Sequence, residues 1–173
     1  TPGPTPIPDD IVEAMSNPMI NHRGPEFDAL IKKTTEQLKQ VFMTQNDLYI
    51  LTASGTGALE ASVVNTLSPG DKVLAATAGS FGNRFIDLAR AFGAEVDVLE
   101  FEWGEPVDPE AIRSSLKADP AIKAVMITHN ETSTGVTHPV EEIAKIAKGE
   151  FDKLLLVDAV SSLGVIDLKM DEW

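Results

Sequence analysis

The sequence predicts a three-layer αβα domain built on a mostly parallel β-sheet. Three observations carry that reading. From Tyr49 onward, apolar runs of strand length alternate with stretches of helical periodicity. Runs such as Ala124-Val125-Met126-Ile127 and Leu154-Leu155-Leu156-Val157 lack polar alternation, the mark of strands covered on both faces. Pro69-Gly70-Asp71 and Gly93-Ala94 stop helices just before strands begin. Strand–helix repetition with doubly covered strands means a parallel sheet with right-handed crossovers.

The elements follow in order. Residues 1–8, TPGPTPIP, carry four prolines and a glycine and are expected to form an extended arm. Asp9 or Asp10 caps a short helix through Met15 that ends near Asn17-Pro18. Asn21-His22-Arg23-Gly24-Pro25 is a polar loop. Pro25 opens a second helix, with Phe27, Leu30, Ile31, Leu38, Val41 and Phe42 on its apolar face. Strands are predicted at 48–52, 72–76, 95–100, 122–128 and 153–158, and helices at 56–67, 81–92, 108–117 and 139–148. Residues 1–24 read as an arm with a short helix, and 25–173 as the α/β part.

Composition narrows the function. The 173 residues are 43% apolar and 24% charged, which is ordinary for a globular protein with a real core. A net charge of −13 argues against a nucleic-acid or anionic-membrane surface. No apolar run approaches the ~20 residues needed to span a bilayer. No signal peptide is visible, so a cytoplasmic location is expected. The absence of cysteine excludes disulfides, thiolate zinc sites and a cysteine nucleophile.

In an open parallel sheet, ligands bind beyond the carboxyl ends of the strands. Four small or polar turns fall there: Ser54-Gly55-Thr56-Gly57, Thr77–Arg84, Thr128–Gly135 and Asp158–Ser162. In the first, a strand, a glycine-rich turn and a helix start follow one another, with Leu59, Val63 and Leu67 as the helix stripe. Unpaired N–H groups and the helix dipole at such a start bind anions. The same residues also suit a tight turn with a Ser or Thr cap. Each remaining element has its own structural reading as well. Asp158 can cap a turn, Phe81 can be core, and His129 can be a satisfied structural histidine. Thr132, Ser133 and Thr134 can be ordinary turn hydroxyls, and Glu141-Glu142 complements a helix dipole. Together they describe a site for a flat, phosphorylated, basic heteroaromatic ring, with phosphate on the first turn. Phe81 would offer an aromatic face, and a carboxylate at Asp158 would keep a pyridine nitrogen protonated.

TPGPTPIP, SGTGALEA, GSFGNR, THNETSTGV and LLLVDAVSSLG resemble, in order and spacing, the alanine–glyoxylate / serine–pyruvate aminotransferases. These are class V, fold-type I pyridoxal 5'-phosphate enzymes, and the resemblance spans essentially the whole chain. It implies the N-terminal part of their large domain, in a homodimer acting on a small amino acid and a 2-oxo acid. By the same resemblance Thr56, Gly57 and Ala58 hold the cofactor phosphate. Phe81 stands where the family usually places a tryptophan stacked on the ring. Thr132 lies near the ring 3-hydroxyl, Asp158 pairs with the pyridine nitrogen, and Val160 packs on the face opposite Phe81. Gly3 borders the substrate carboxylate. Ala58 replaces a histidine found in some members, so one phosphate donor is lost.

The family's Schiff-base lysine is expected beyond Trp173, in a Ser-x-x-Lys-type stretch, together with the substrate-carboxylate arginine and a small C-terminal domain. The 173 residues alone are therefore expected to supply a cofactor cradle and to be inactive. They are also expected not to fold cooperatively, because the family's strand order sets 48–52 apart from a core of 72–76, 95–100, 122–128 and 153–158. Among near relatives, cysteine desulfurases place a histidine where Phe81 stands. A dinucleotide-binding Rossmann module fits poorly, since the third small residue of its fingerprint falls on Glu60. A non-catalytic partner subunit with the same fold, as in hydrogenase-associated relatives, is the third reading.

Overall fold

The computed structural model describes residues 3–173, so Thr1 and Pro2 of the expected arm lie outside the described residues. The chain forms two compact units. One runs to Ile50 and takes in Leu168–Glu172; the other comprises Leu51–Asp167 with Trp173.

In the first unit, α2 (Pro25–Phe42) starts at Pro25 as the sequence predicts. By contrast, α1 (Asp9–Met15) is not capped by Asp9 or Asp10: Pro8 is its N-cap, no side chain caps it, and both aspartates lie in its first turn, where the dipole favours them. Pro25 fills the first turn of α2, where a missing N–H costs nothing, and Glu26 and Asp28 face the positive end of the dipole. The helix stops at Met43, which takes a left-handed conformation (φ 51°). Asp171 fastens the returning segment: it accepts from Thr44 Oγ1 (2.6 Å), Gln45 N (2.8 Å) and Asn46 Nδ2 (3.0 Å). These donors hold its carboxyl below the usual range. Leu30, Ile31 and Val41 on α2 remain exposed.

The second unit contains the sheet. It opens with α3 (Gly55–Thr66), followed by β1 (Lys72–Thr77), α4 (Ser80–Ala91), β2 (Glu95–Glu100) and α5 (Pro109–Ala118). Then come β3 (Ala124–Thr128), a short β4 (Asn130–Glu131) and β5 (Val136–Thr137), α6 (Val140–Ala144) running into a π-helical turn at Lys145–Glu150, and β6 (Leu154–Asp158). Four parallel strands pair in the order β2-β1-β3-β6, while β4 and β5 form an antiparallel hairpin. The register sets Val73 beside Ala124 and Ala124 beside Leu154, so the carboxyl ends of β1, β3 and β6 lie level along one edge.

β1 and β3 are central, which explains their unbroken apolar sequence. Val73, Ala75, Ala124, Met126 and Leu156 pack with Leu59 and Val63 of α3 and with Phe85, Ile86 and Ala89 of α4. Leu74, Ala76, Val125 and Ile127 alternate to the opposite face, where they are buried along with Ile112 and Leu116 of α5. Helices on both faces complete three layers.

The strand expected at 48–52 does not form. This stretch is irregular, and Tyr49 is 80% exposed, with Ile50 and Leu51 about half exposed. Tyr49-Ile50-Leu51 has the composition of a strand, but a strand exists only with a ladder partner. Without one the segment stays irregular, and the Leu51 carbonyl accepts locally from Ala53 N–H (3.0 Å). The helix expected at 139–148 is α-helical only through Ala144 before it widens.

Candidate functional site

Seven of the expected site residues, Thr56, Gly57, Ala58, Phe81, Thr132, Asp158 and Val160, lie in the second unit. Gly3 lies in the first.

The start of α3 is not capped by a side chain: Ser54 is the N-cap in extended conformation and makes no capping hydrogen bond. Ala58 N–H donates to the Ser54 carbonyl (3.2 Å). That leaves Gly55, Thr56 and Gly57 as the amides with no intrahelical acceptor, and the Ala58 amide already engaged. The turn is close-packed. A Cβ on Gly55 would lie 2.9 Å from Val160 Cγ2, so the loop after β6 rests against the first residue of α3. Arg84 Nη1 reaches Thr56 Oγ1 (3.5 Å), and its guanidinium lies 5.3 Å from the centre of the Phe81 ring. These contacts gather Thr56, Phe81 and Val160 around one helix start.

The start of α4 is built differently, and it depends on a residue the sequence does not flag. Glu131, with 0% exposure, accepts from Phe81 N and Gly82 N on Oε2 (3.0 Å each). Its Oε1 accepts from Ser133 N (3.1 Å) and Ser133 Oγ (2.7 Å). Ser133 Oγ in turn accepts from Ser80 N (3.0 Å). A carboxylate from the loop after β3 thus caps the helix after β1, where the dipole favours a negative charge. Thr132, half-buried, sits between two residues pinned by this network.

Asp158 closes β6. It is 5% exposed and accepts Val160 N–H on Oδ1 (2.9 Å), and among the described residues no salt bridge neutralises it. Burial pushes its carboxyl up, the Val160 amide opposes this, Glu131 adds a further upward push, and Arg84 draws it down. Both Glu131 and Arg84 are therefore close enough to act on it electrostatically. Its capping of the following turn and its burial are one geometry, not alternatives.

His129 is buried, as the structural reading requires, yet its Nδ1 has no hydrogen-bond partner among the described residues; the same holds for Thr128 Oγ1. His138, which the sequence did not single out, accepts Val107 N–H on Nδ1 (3.1 Å). Burial pushes both imidazoles below their ordinary range. As pH falls below about 6.5, the unfolded chain then binds more protons than the folded one, and stability is lost. The melting temperature is expected to fall between pH 7.5 and 5.5. His138→Gln, which keeps an acceptor for Val107, should flatten that fall; an unchanged slope would exclude His138 as its source.

A parallel three-layer sheet with these loops at its carboxyl edge is the architecture of the fold-type I pyridoxal-phosphate aminotransferases. The family model of class-V aminotransferases matches residues 2–173, and the chain belongs to that family. Pyridoxal phosphate is the cofactor of class-V aminotransferases. The chain is 46% identical over 176 residues to serine–glyoxylate aminotransferase of Methylorubrum extorquens, covering 99% of this chain and 44% of that protein. It is 42% identical to the soluble hydrogenase 42 kDa subunit of Anabaena cylindrica, covering 98% of this chain and 45% of that protein. The crystal structure of alanine–glyoxylate aminotransferase from Nostoc sp. superposes with a TM-score of 0.93 at 38% identity, over 99% of this chain and 45% of that one. The chain thus spans somewhat under half the length of these relatives.

Proposed function

We propose that the protein catalyses pyridoxal-phosphate-dependent transamination between a small amino acid, alanine or serine, and a 2-oxo acid, glyoxylate or pyruvate. The observation that carries this is Asp158: a buried carboxylate that, among the described residues, has the Val160 amide as donor and no paired cation suits a protonated pyridine nitrogen. The rest of the donor set suits the same group. The uncapped start of α3 suits a phosphate, with Gly55, Thr56 and Gly57 amides as donors and Arg84 adding positive charge. Phe81 would offer one face for the ring and Val160 the other, and Thr132 would serve the 3-hydroxyl; the role of Gly3 toward the substrate carboxylate rests on the family resemblance alone. The engaged Ala58 amide contributes through position only. Bound pyridoxal phosphate supplies the electron sink that makes an amino-acid Cα proton removable. Asp158 maintains that sink by holding the proton on the ring nitrogen, and Phe81 holds the ring plane. Among residues 1–173, Lys169 is paired with Glu172 (3.2 Å) and does not stand in the family's lysine context.

The glyoxylate acceptor is supported by the names of the relatives. A homodimer is supported by Ile11, Val12 and Met15 of α1 and Leu30 and Val41 of α2, which all stand exposed on the first unit. The test is to load the full-length protein with pyridoxal phosphate and assay alanine or serine with glyoxylate or pyruvate. Visible absorbance that becomes fixed by borohydride, with keto-acid formation, is expected. Absence of both would overturn the reading. The hydrogenase-subunit names carried by two relatives favour a second reading, a non-catalytic partner subunit. Cofactor binding without turnover of any amino donor would favour it.

A further inference from the structure

We propose that Glu131 is a positioning residue for the cofactor site, a role that rests on the pyridoxal-phosphate reading above. One carboxylate ties together two loops that leave different strands. Its Oε2 holds the amides of Phe81 and Gly82, and its Oε1 holds the amide and hydroxyl of Ser133. The residues so fixed are the ring-facing Phe81 and, between Glu131 and Ser133, Thr132. Neither loop is fixed by regular sheet pairing at these positions: Phe81 lies in the first turn of α4, and Thr132 in the turn of the β4–β5 hairpin.

The side chain fits closely. A Cβ on Gly79 would lie 2.5 Å from Glu131 Cγ and 2.6 Å from both Glu131 Cδ and Ser133 Oγ. The bare backbone of Gly79 is what lets the carboxylate stem pass. Aspartate, one methylene shorter, cannot span both donor pairs. Glutamine has the right length but only one oxygen acceptor. Whichever way its amide is turned, two donors face an NH2 group. Charge-assisted bonds at a helix start are lost with it. Glu131 also pushes the Asp158 carboxyl up electrostatically. Both of its carboxylate oxygens are taken up by these protein donors, so it acts through Phe81 and Thr132.

The test compares full-length wild type, Glu131→Gln, Ser133→Ala and the core variant Ile112→Ala, each titrated with pyridoxal phosphate. Three quantities are read: the Kd, the visible circular dichroism of the bound cofactor, and the melting temperature. Ile112 is fully buried in α5, under the other face of the sheet, and serves as the purely structural control. Glu131→Gln is expected to raise the Kd about tenfold and roughly halve the visible dichroism, because the ring is held less uniformly. Ser133→Ala should move both readings in the same direction by about threefold or less. Ile112→Ala should lower the melting temperature with Kd and dichroism unchanged. Wild-type Kd and dichroism in Glu131→Gln would overturn the proposal, as would an equal disturbance by Ile112→Ala. If Glu131→Gln does not fold, wild-type values in Ser133→Ala overturn it. A wild-type protein that takes up no pyridoxal phosphate overturns the cofactor reading, and this role with it. Normal uptake with unaffected variants overturns this role alone.

Discussion

Asp158→Asn in the full-length holoenzyme is expected to lower turnover roughly 10²- to 10³-fold, the scale of removing one preorganised electrostatic contact at a reacting group. The substitution is nearly isosteric, and an amide oxygen can still accept Val160 N–H, so the turn after β6 is retained. What is lost is the anion. A neutral partner no longer favours the protonated pyridine nitrogen, and the ring becomes a weaker electron sink. Folding should not suffer, since removing a buried, unneutralised carboxylate relieves a desolvation cost. Phe81→Ala separates the two roles. It should loosen the cofactor by about 0.5–1.5 kcal/mol through lost stacking, with a smaller effect on the chemical step once the site is saturated. Turnover within a factor of a few of wild type in Asp158→Asn would remove the pyridine-nitrogen role, whatever the affinity.

Gly82→Ala is expected to destabilise the protein by about 1–3 kcal/mol, the cost of forcing an extra methyl into a packed site. Two effects compete. Alanine in a helix gains up to about 1 kcal/mol over glycine. Against this, a Cβ at Gly82 would lie 2.9 Å from Thr77 Cβ and 3.2 Å from Thr77 Cα. Thr77 belongs to central strand β1, paired on both sides, and its backbone cannot give way. The helix must move instead, which stretches the Gly82 N–Glu131 bond. Overpacking therefore outweighs propensity. At Gly57 the comparison differs, because the nearest atom is Ala53 Cβ (2.7 Å), in an irregular segment that can shift. Denaturant unfolding of both alanine variants checks this: Gly82→Ala should be the less stable. Equal stability of Gly82→Ala and wild type would show that α4 can slide.

The four strands of the main sheet and helices α3, α4 and α5 were legible because each carries its period and its punctuation locally; the β4–β5 hairpin was not. Ala124–Thr128 reads as doubly covered because it is, and Gly93 stops α4 with positive φ (87°) where the sequence placed a stop. Tyr49-Ile50-Leu51 misled for the same reason in reverse: its residue types are those of a strand, but pairing is decided elsewhere in the chain. Phe81 and Asp158 stood out because small and polar residues cluster after apolar strands; Thr56 stood out through its glycine-rich turn, although the strand read before it does not form. Glu131 did not. A glutamate between asparagine and threonine in a polar turn looks solvated. Its actual partners, Phe81 and Gly82, lie some fifty positions away. The only local trace was Gly79-Ser80, a helix start with no acid of its own. His138 was hidden likewise, since its acceptor role toward Val107 spans |i−j| = 31.

The two outer strands of the sheet differ in a way that bears on solubility. β2 reads Glu-Val-Asp-Val-Leu-Glu, with Glu95, Asp97 and Glu100 exposed along it, so another copy of this strand approaching edge to edge meets like charges. β6 reads Leu-Leu-Leu-Val-Asp, and Leu154, Leu155 and Val157 are only partly covered, with no strand beyond it among the described residues. Edge-to-edge approach of two copies along β2 is therefore opposed by its acidic rim. The overall charge of −13 slows such encounters at low salt, and raising the ionic strength removes that protection first.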